Sequence, residues 1–268
     1  MTYEALETSQ ESGQPVELYE FIIGTETYRY TSAEDTVLFN GNSWVSRQIT
    51  RSNPTQTTDE RRQLITVTLP TDDVVCARYI GIVPGKLMSL EIIRFHRGDA
   101  EAFILWQGRV KGAKYIRQGA LCELQGLSTE SSYSRTIPRH KYQGLCNHVL
   151  YDGGCKIVKT SYQYVGTINV ISGNTITVNG LETAKGDGWA TGGYIELGSG
   201  EDYRMVLDQS GDVLKLMLPF NGSTGQSVTV YAGCDHTLDT CDSKFSNEVN
   251  YGGFPFVPSL NPFNTGLD

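Results

Sequence analysis

The sequence has no apolar run approaching the roughly 18 residues that a membrane-spanning helix needs, so no span and no membrane anchor are expected. Positive charge is also short: 22 Lys and Arg stand against 30 Asp and Glu, giving a net charge of −8 and a pI near 5.1. Phosphate neutralisation needs clustered cations, so a nucleic-acid-binding surface is not expected, although an acidic channel that DNA slides past is compatible. The opening "MTYEALETSQESGQPVELYEF" lacks a basic stretch followed by an apolar one. No secretory leader is therefore expected, and folding in a reducing cytoplasm is. Also missing are a Gly-x-Ser-x-Gly elbow, a Gly-rich phosphate loop, a His-Glu-x-x-His helix and a paired-acid motif. No set of nucleophile, base and acid can be assembled, so the chain is not expected to be an enzyme.

What is present reads as β structure. "VELYEFIIG", "TYRYTS", "QLITVTLP", "LMSLEIIRFHRG" and "EAFILWQGRV" are separated by turn-forming residues and predict short strands through the first half. In "LITVTL" the residues Leu64, Thr66 and Thr68 alternate with Ile65, Val67 and Leu69, the two-residue period of a half-buried strand. Helix is scarce: "TYEALETSQ" and "TDDVVCARYIG" at 71–81, with Thr71 as the expected cap, are the best candidates. After Cys155 a strand pattern restarts with "YQYVGTINV" and "NTITVNG" around a Ser172-Gly173 turn, then "GGYIELG", "EDYRMVL", "VLKLML" and "SVTVYAG". That spacing predicts a small barrel or sandwich of five or six strands.

The expected fold class is mainly β: a multi-domain β-barrel or sandwich protein with little helix and an extended C-terminal arm. Expected divisions are a β-rich N-terminal domain over 1–140, a first cysteine-pair segment over 141–158 and an inserted small β-barrel domain over 159–232. A second cysteine pair and the arm occupy 233–268. From Asn247 the sequence "NEVNYGGFPFVPSLNPFNTGLD" is rich in Pro, Gly, Asn and Phe, which favours an arm over a packed element.

The chemistry lies in cysteine. "GLCNHVLYDGGCKIV" carries Cys146 and Cys155, and "GCDHTLDTCDSKF" carries Cys234 and Cys241, so the two pairs bracket the expected barrel. Four soft thiolates in a reducing compartment select zinc or an iron–sulfur cluster. The spacings, C-x8-C and C-x6-C, are longer than the C-x2-C of tight zinc ribbons and suit a larger cluster. Gly153, Gly154 and Gly233 allow close backbone approach and N–H donation to sulfur. His148 and His236 each follow a cysteine by two residues and could ligate or hydrogen-bond a sulfur from behind; since four thiolates already complete a site, the latter is expected. Cys76 and Cys122 fall in apolar strand or helix patterns and are expected to be inert core thiols. Trp44, Trp106 and Trp189 are likewise expected in the core.

At "CNHVLYDGGC", "GCDHTLDTC" and "KFSNEVNYGGFPFVP" the sequence resembles the phage tail baseplate hub proteins, and it is similar to the minor tail protein L group of lambda-like phages. "LYEF", "RYTSAEDTV" and "FHRGDAEA" extend the likeness over nearly the whole chain. The resemblance implies a structural virion protein of the phage tail tip, assembled in the host cytoplasm. It also implies a [4Fe–4S] cluster held by Cys146, Cys155, Cys234 and Cys241. A homotrimeric ring joining the distal tail protein to the central fibre, with DNA passing through its lumen, follows from the same likeness. Spacing by itself leaves open a zinc-stapled β binding module and, more remotely, a cysteine-dependent cell-wall peptidase.

Overall fold

Alternation between adjacent residues builds the first half of the chain. β1 (Pro15–Ile23) sits in a nine-stranded sheet with β2 (Glu26–Thr31), β3 (Val37–Phe39), β4 (Asn42–Ser46), β5 (Thr50–Arg51) and β6 (Leu64–Pro70). β7 (Met88–His96), β8 (Ala102–Ile116) and β9 (Leu121–Ser128) complete it in the order β3-β4-β2-β1-β7-β8-β9-β6-β5. β2 and β4 pair in parallel and the other neighbours are antiparallel. Because successive side chains point to opposite faces, β1 feeds two cores. Val16 and Leu18 join Val37, Phe39, Trp44 and Phe95, whereas Tyr19, Phe21 and Ile23 join Ile65, Val67, Leu69, Leu90 and Trp106. β6 turns Ile65, Val67 and Leu69 inward, the face its alternation predicted.

The coordinates are a computed structural model that describes residues 3–9, 13–54, 64–81, 83–99, 101–129, 137–198, 202–219 and 222–257. It divides into two compact units, residues 1–135 and 136–268. The first cysteine segment therefore shares a unit with the strands that follow it. Among the described residues no helix is long and apolar enough to cross a membrane.

Two local expectations change in the first unit. The helix sought over 71–81 is the single turn α2 (Val74–Ala77), after a short α1 (Tyr3–Glu7). Its cap is Asp73, not Thr71: the Asp73 carboxylate accepts from the Val75 amide at 3.0 Å and from the Tyr30 hydroxyl at 3.0 Å. The Thr71 amide is engaged elsewhere, on the Ala120 carbonyl. β8 is also longer than expected, 15 residues, with a register shift between Val110 and Gly112 that keeps it paired to β9. Cys76 and Cys122 are fully buried in the larger core, as are most of its strand residues.

In the second unit β10 (Gln163–Ser172), β11 (Thr175–Val178), β12 (Tyr194–Leu197), β13 (Asp202–Ser210), β14 (Val213–Leu216) and β15 (Ser227–Tyr231) close a barrel in the order β10-β11-β14-β13-β12-β15. Closure removes both sheet edges. Ile168, Ile176, Val206, Leu214 and Val230 fill its interior, and Leu181 plugs it from α3 (Leu181–Lys185). The short α3 was not anticipated. It starts after Gly180 at φ 74°, where the Asp212 carboxylate accepts from the Gly180 and Glu182 amides. α4 (Leu238–Ser243) follows the barrel, capped by Thr237, whose hydroxyl accepts from the Thr240 amide at 3.2 Å.

Candidate cysteine centre

The barrel's ends determine where the cysteines go. β10 and β15 are neighbouring antiparallel strands, with Gln163 opposite Tyr231. The chain therefore enters and leaves the barrel at one place, and the segments before residue 163 and after 231 emerge side by side. The Ala232 amide donates to the Tyr162 carbonyl at 3.0 Å, which locks this neck. Beyond it, Cys146, Cys155, Cys234 and Cys241 all line one small cavity of about 20 Å³, together with His148, His236 and Phe245.

Each thiol is placed by its local backbone. The Asp152 carboxylate folds the loop carrying Cys155, accepting from the amides of Val149 (3.0 Å), Gly154 (2.9 Å) and Cys155 (2.7 Å). Those donors, the Cys155 amide foremost, hold the Asp152 carboxyl below its usual range. Cys241 comes from α4 and donates its thiol to the Asn247 carbonyl at 3.4 Å, while the Asn247 side chain reaches the Cys155 carbonyl at 2.7 Å. Asn247 thus ties one cysteine of each pair to the other.

Two backbone amides point at sulfur. The His236 amide donates to Cys234 Sγ at 3.3 Å and the Gly252 amide to Cys146 Sγ at 3.3 Å. The first depends on His236 adopting a left-handed φ of 65°, unusual for a residue with a Cβ. The His236 carbonyl then accepts from the Cys146 amide at 2.9 Å and from the Tyr251 hydroxyl at 3.1 Å. His236 therefore contributes mainly through its backbone. His148 contributes packing: a methyl group at Gly154 would lie 2.3 Å from its ring and one at Gly252 would lie 2.4 Å from it. Glycine at both positions is what lets the imidazole fit between the two loops.

Burial, and then the neighbouring Cys234, Cys146 and Cys155, pushes the Cys241 thiol up to about 11. The Cys234 thiol is raised chiefly by burial, against the His236 amide, which acts the other way. Four thiols that face one another in this way favour a cationic occupant over free thiolates. Among the described residues, however, no three His, Cys, Asp or Glu side chains are set to hold a single metal ion.

Sequence reasoning singled out six of the residues that line the cavity, the four cysteines with His148 and His236, and it missed Asn147, Asp152, Asn247 and Tyr251. Asn147 bridges the Lys141 and Gly252 carbonyls, and Tyr251 donates to the Gly144 carbonyl at 2.7 Å. The only signal for these was an Asn or Asp close to each cysteine, which is common to ordinary turns.

A family model described as "Baseplate hub protein, N-terminal attachment domain" matches residues 18–158, more than half of the 268-residue chain. The chain belongs to this baseplate hub family. That membership places the hub protein in the virion tail. A second model, "Phage conserved hypothetical protein BR0599", matches residues 188–261. The first match of the hub protein contains Cys146 and Cys155, and the second contains Cys234 and Cys241. A solved chain titled "Virion of native gene transfer agent (GTA) particle" superposes on 100% of the hub protein and 97% of itself, with a TM-score of 0.75 and 18% identity. That likeness is one of fold. No curated protein sequence matches the chain.

Proposed function

We propose that the hub protein is a non-enzymatic structural component of the tail tip, joining the distal tail protein to the central fibre as a homotrimeric ring around the DNA channel. We propose further that Cys146, Cys155, Cys234 and Cys241 hold a [4Fe–4S] cluster that staples the neck of the barrel. Family membership and the virion-particle fold neighbour support the structural role.

The single observation behind the cluster is that four cysteines from two segments, about eighty residues apart in sequence, line one cavity with amide N–H groups aimed at two of their sulfurs. Amide donation to sulfur is how proteins stabilise cluster thiolates. The four-cysteine donor set fits iron and sulfide chemistry, and its C-x8-C and C-x6-C spacings suit a multi-atom cluster better than a tight zinc site. The cavity is about the room of one water, so loading requires the thiols to swing outward. Zinc remains the second reading because thiolate chemistry alone admits it.

Two measurements test these parts separately. Anaerobically purified protein should absorb broadly in the visible and carry iron; colourless protein with stoichiometric zinc would replace the cluster with the second reading. Light scattering of the full chain, alone and coexpressed with the adjoining tail proteins, should give a trimer and a stable complex. A monomer that binds neither neighbour would defeat the ring.

A further inference from the structure

Beside the cysteines, directly after α4, lies the partly buried cation Lys244. Its Nζ donates to the Trp189 carbonyl at 2.6 Å and to the Gly233 carbonyl at 2.8 Å. It lies 5.9 Å from the Trp189 ring centre and 5.5 Å from that of Phe245, so aromatic faces flank the charge. The Gly233 carbonyl belongs to the peptide bond that carries the Cys234 nitrogen. Trp189 lies in the barrel segment before β12, and its carbonyl also accepts from the Gly233 amide at 3.1 Å. The fit is tight: a methyl group at Gly233 would fall 1.8 Å from the Thr191 carbonyl oxygen, and one at Gly192 would fall 3.0 Å from that of Cys234.

We infer that Lys244 is the positioning residue and resident counter-charge of the cysteine centre, clamping the barrel's Trp189 turn to the peptide that presents Cys234. The barrel is then more than an insertion between two cysteine pairs, because one of its turns sets the position of a ligand. The charge half of this inference rests on the cluster reading given above. The clamp half does not.

Burial lowers the Lys244 ammonium below the usual lysine value, while Cys234 and Asp235 oppose that shift. Two carbonyl acceptors and two ring faces help a partly buried ammonium remain charged. A four-thiolate cluster carries net negative charge and gains another on reduction, so a fixed cation beside it stabilises the reduced form most. Lysine suits this place as a compact point charge, whereas a planar guanidinium would have to sit across the two carbonyls.

The test uses the full chain and three variants. Lys244→Met removes charge and donors, Lys244→Gln keeps a donor without charge, and Lys244→Arg keeps the charge. In Lys244→Met, amide hydrogen exchange over 232–236 should quicken, iron loss to a chelator should run about tenfold faster, as for other partners behind metal ligands, and the cluster's reduction potential should fall. Lys244→Arg should restore the potential. Lys244→Gln should leave exchange near that of the parent but keep the lowered potential, which a merely structural residue would not do. If Lys244→Met does not fold, the Gln and Arg pair carries the same comparison. Should the parent protein bind no iron, the cluster reading fails and exchange over 232–236 alone decides the clamp: faster exchange in Lys244→Met sustains it. Unchanged exchange overturns the clamp, and an unchanged potential in Lys244→Gln overturns the counter-charge.

Discussion

Single residues carry most of the geometry at the cysteine centre. His148 fits only because Gly154 and Gly252 lack side chains, so Gly154→Ala should overpack the loop and cost about 1–3 kcal/mol. A denaturant midpoint equal to that of the parent would show that the loop relaxes around the methyl group instead. In the first unit Glu17 is held by Arg51 in two contacts, 2.8 and 2.5 Å, and by the Tyr19 hydroxyl at 2.8 Å. Burial by itself would raise the Glu17 pKa above 4.5, but Arg51, Tyr19 and Arg94 outweigh it and lower it. A lowered carboxylate contributes stability that is present above its unfolded value and disappears as pH falls through the folded one. Urea unfolding followed by Trp44 and Trp106 fluorescence should therefore weaken on acidification below about pH 4.5, and Glu17→Gln should flatten that dependence. Parallel pH profiles for the two proteins would refute this role of Glu17.

At the scale of elements, the barrel owes its closure to alternating strands and its plug to one short helix. Leu214→Ala empties a fully buried position on β14 and should cost about 2–5 kcal/mol. Asp73→Ala should cost about 1 kcal/mol as a lost helix cap, with a further loss from the orphaned Tyr30 hydroxyl; a change confined to a few tenths would mean that water replaces the carboxylate. The strands were legible because a two-residue period survives in sequence: Ile65, Val67 and Leu69 show it unaided. α3 was not legible, since one turn has no period and its start depends on Asp212, some thirty residues away. The same holds for the Asp73 cap, whose carboxylate is fixed by the distant Tyr30 hydroxyl as well as by the Val75 amide. The four cysteines with His148 and His236 were readable from composition and spacing. Asn247 and Lys244 were not, because their roles exist only once the neck of the barrel brings distant carbonyls within reach.

At the scale of the whole molecule, the proposed cluster and the C-terminal segment act together. The Gly252 amide reaches Cys146 Sγ, the Phe254 amide donates to the Gln143 carbonyl at 2.9 Å, and Phe254 packs on Tyr142 with ring centres 4.3 Å apart. The first part of the expected arm thus runs back along the cysteine segment, with Phe256 left exposed. The part from 258 onward lies outside the described residues. Deletion of 251–268 should accordingly speed bleaching of the protein in air, while deletion of 259–268 should not. Equal bleaching rates for the long deletion and the parent would remove Gly252 and its neighbours as a shield.

The central claim, that two cysteine pairs jointly hold one cluster, is tested most directly by counting iron and acid-labile sulfide per chain in anaerobically prepared parent, Cys155→Ser, Cys234→Ser and Cys76→Ser proteins. The account predicts about four of each in the parent and in Cys76→Ser, as a [4Fe–4S] centre requires, and a large loss when either pair is broken. Equal iron in all four proteins, or none in the parent, would contradict it.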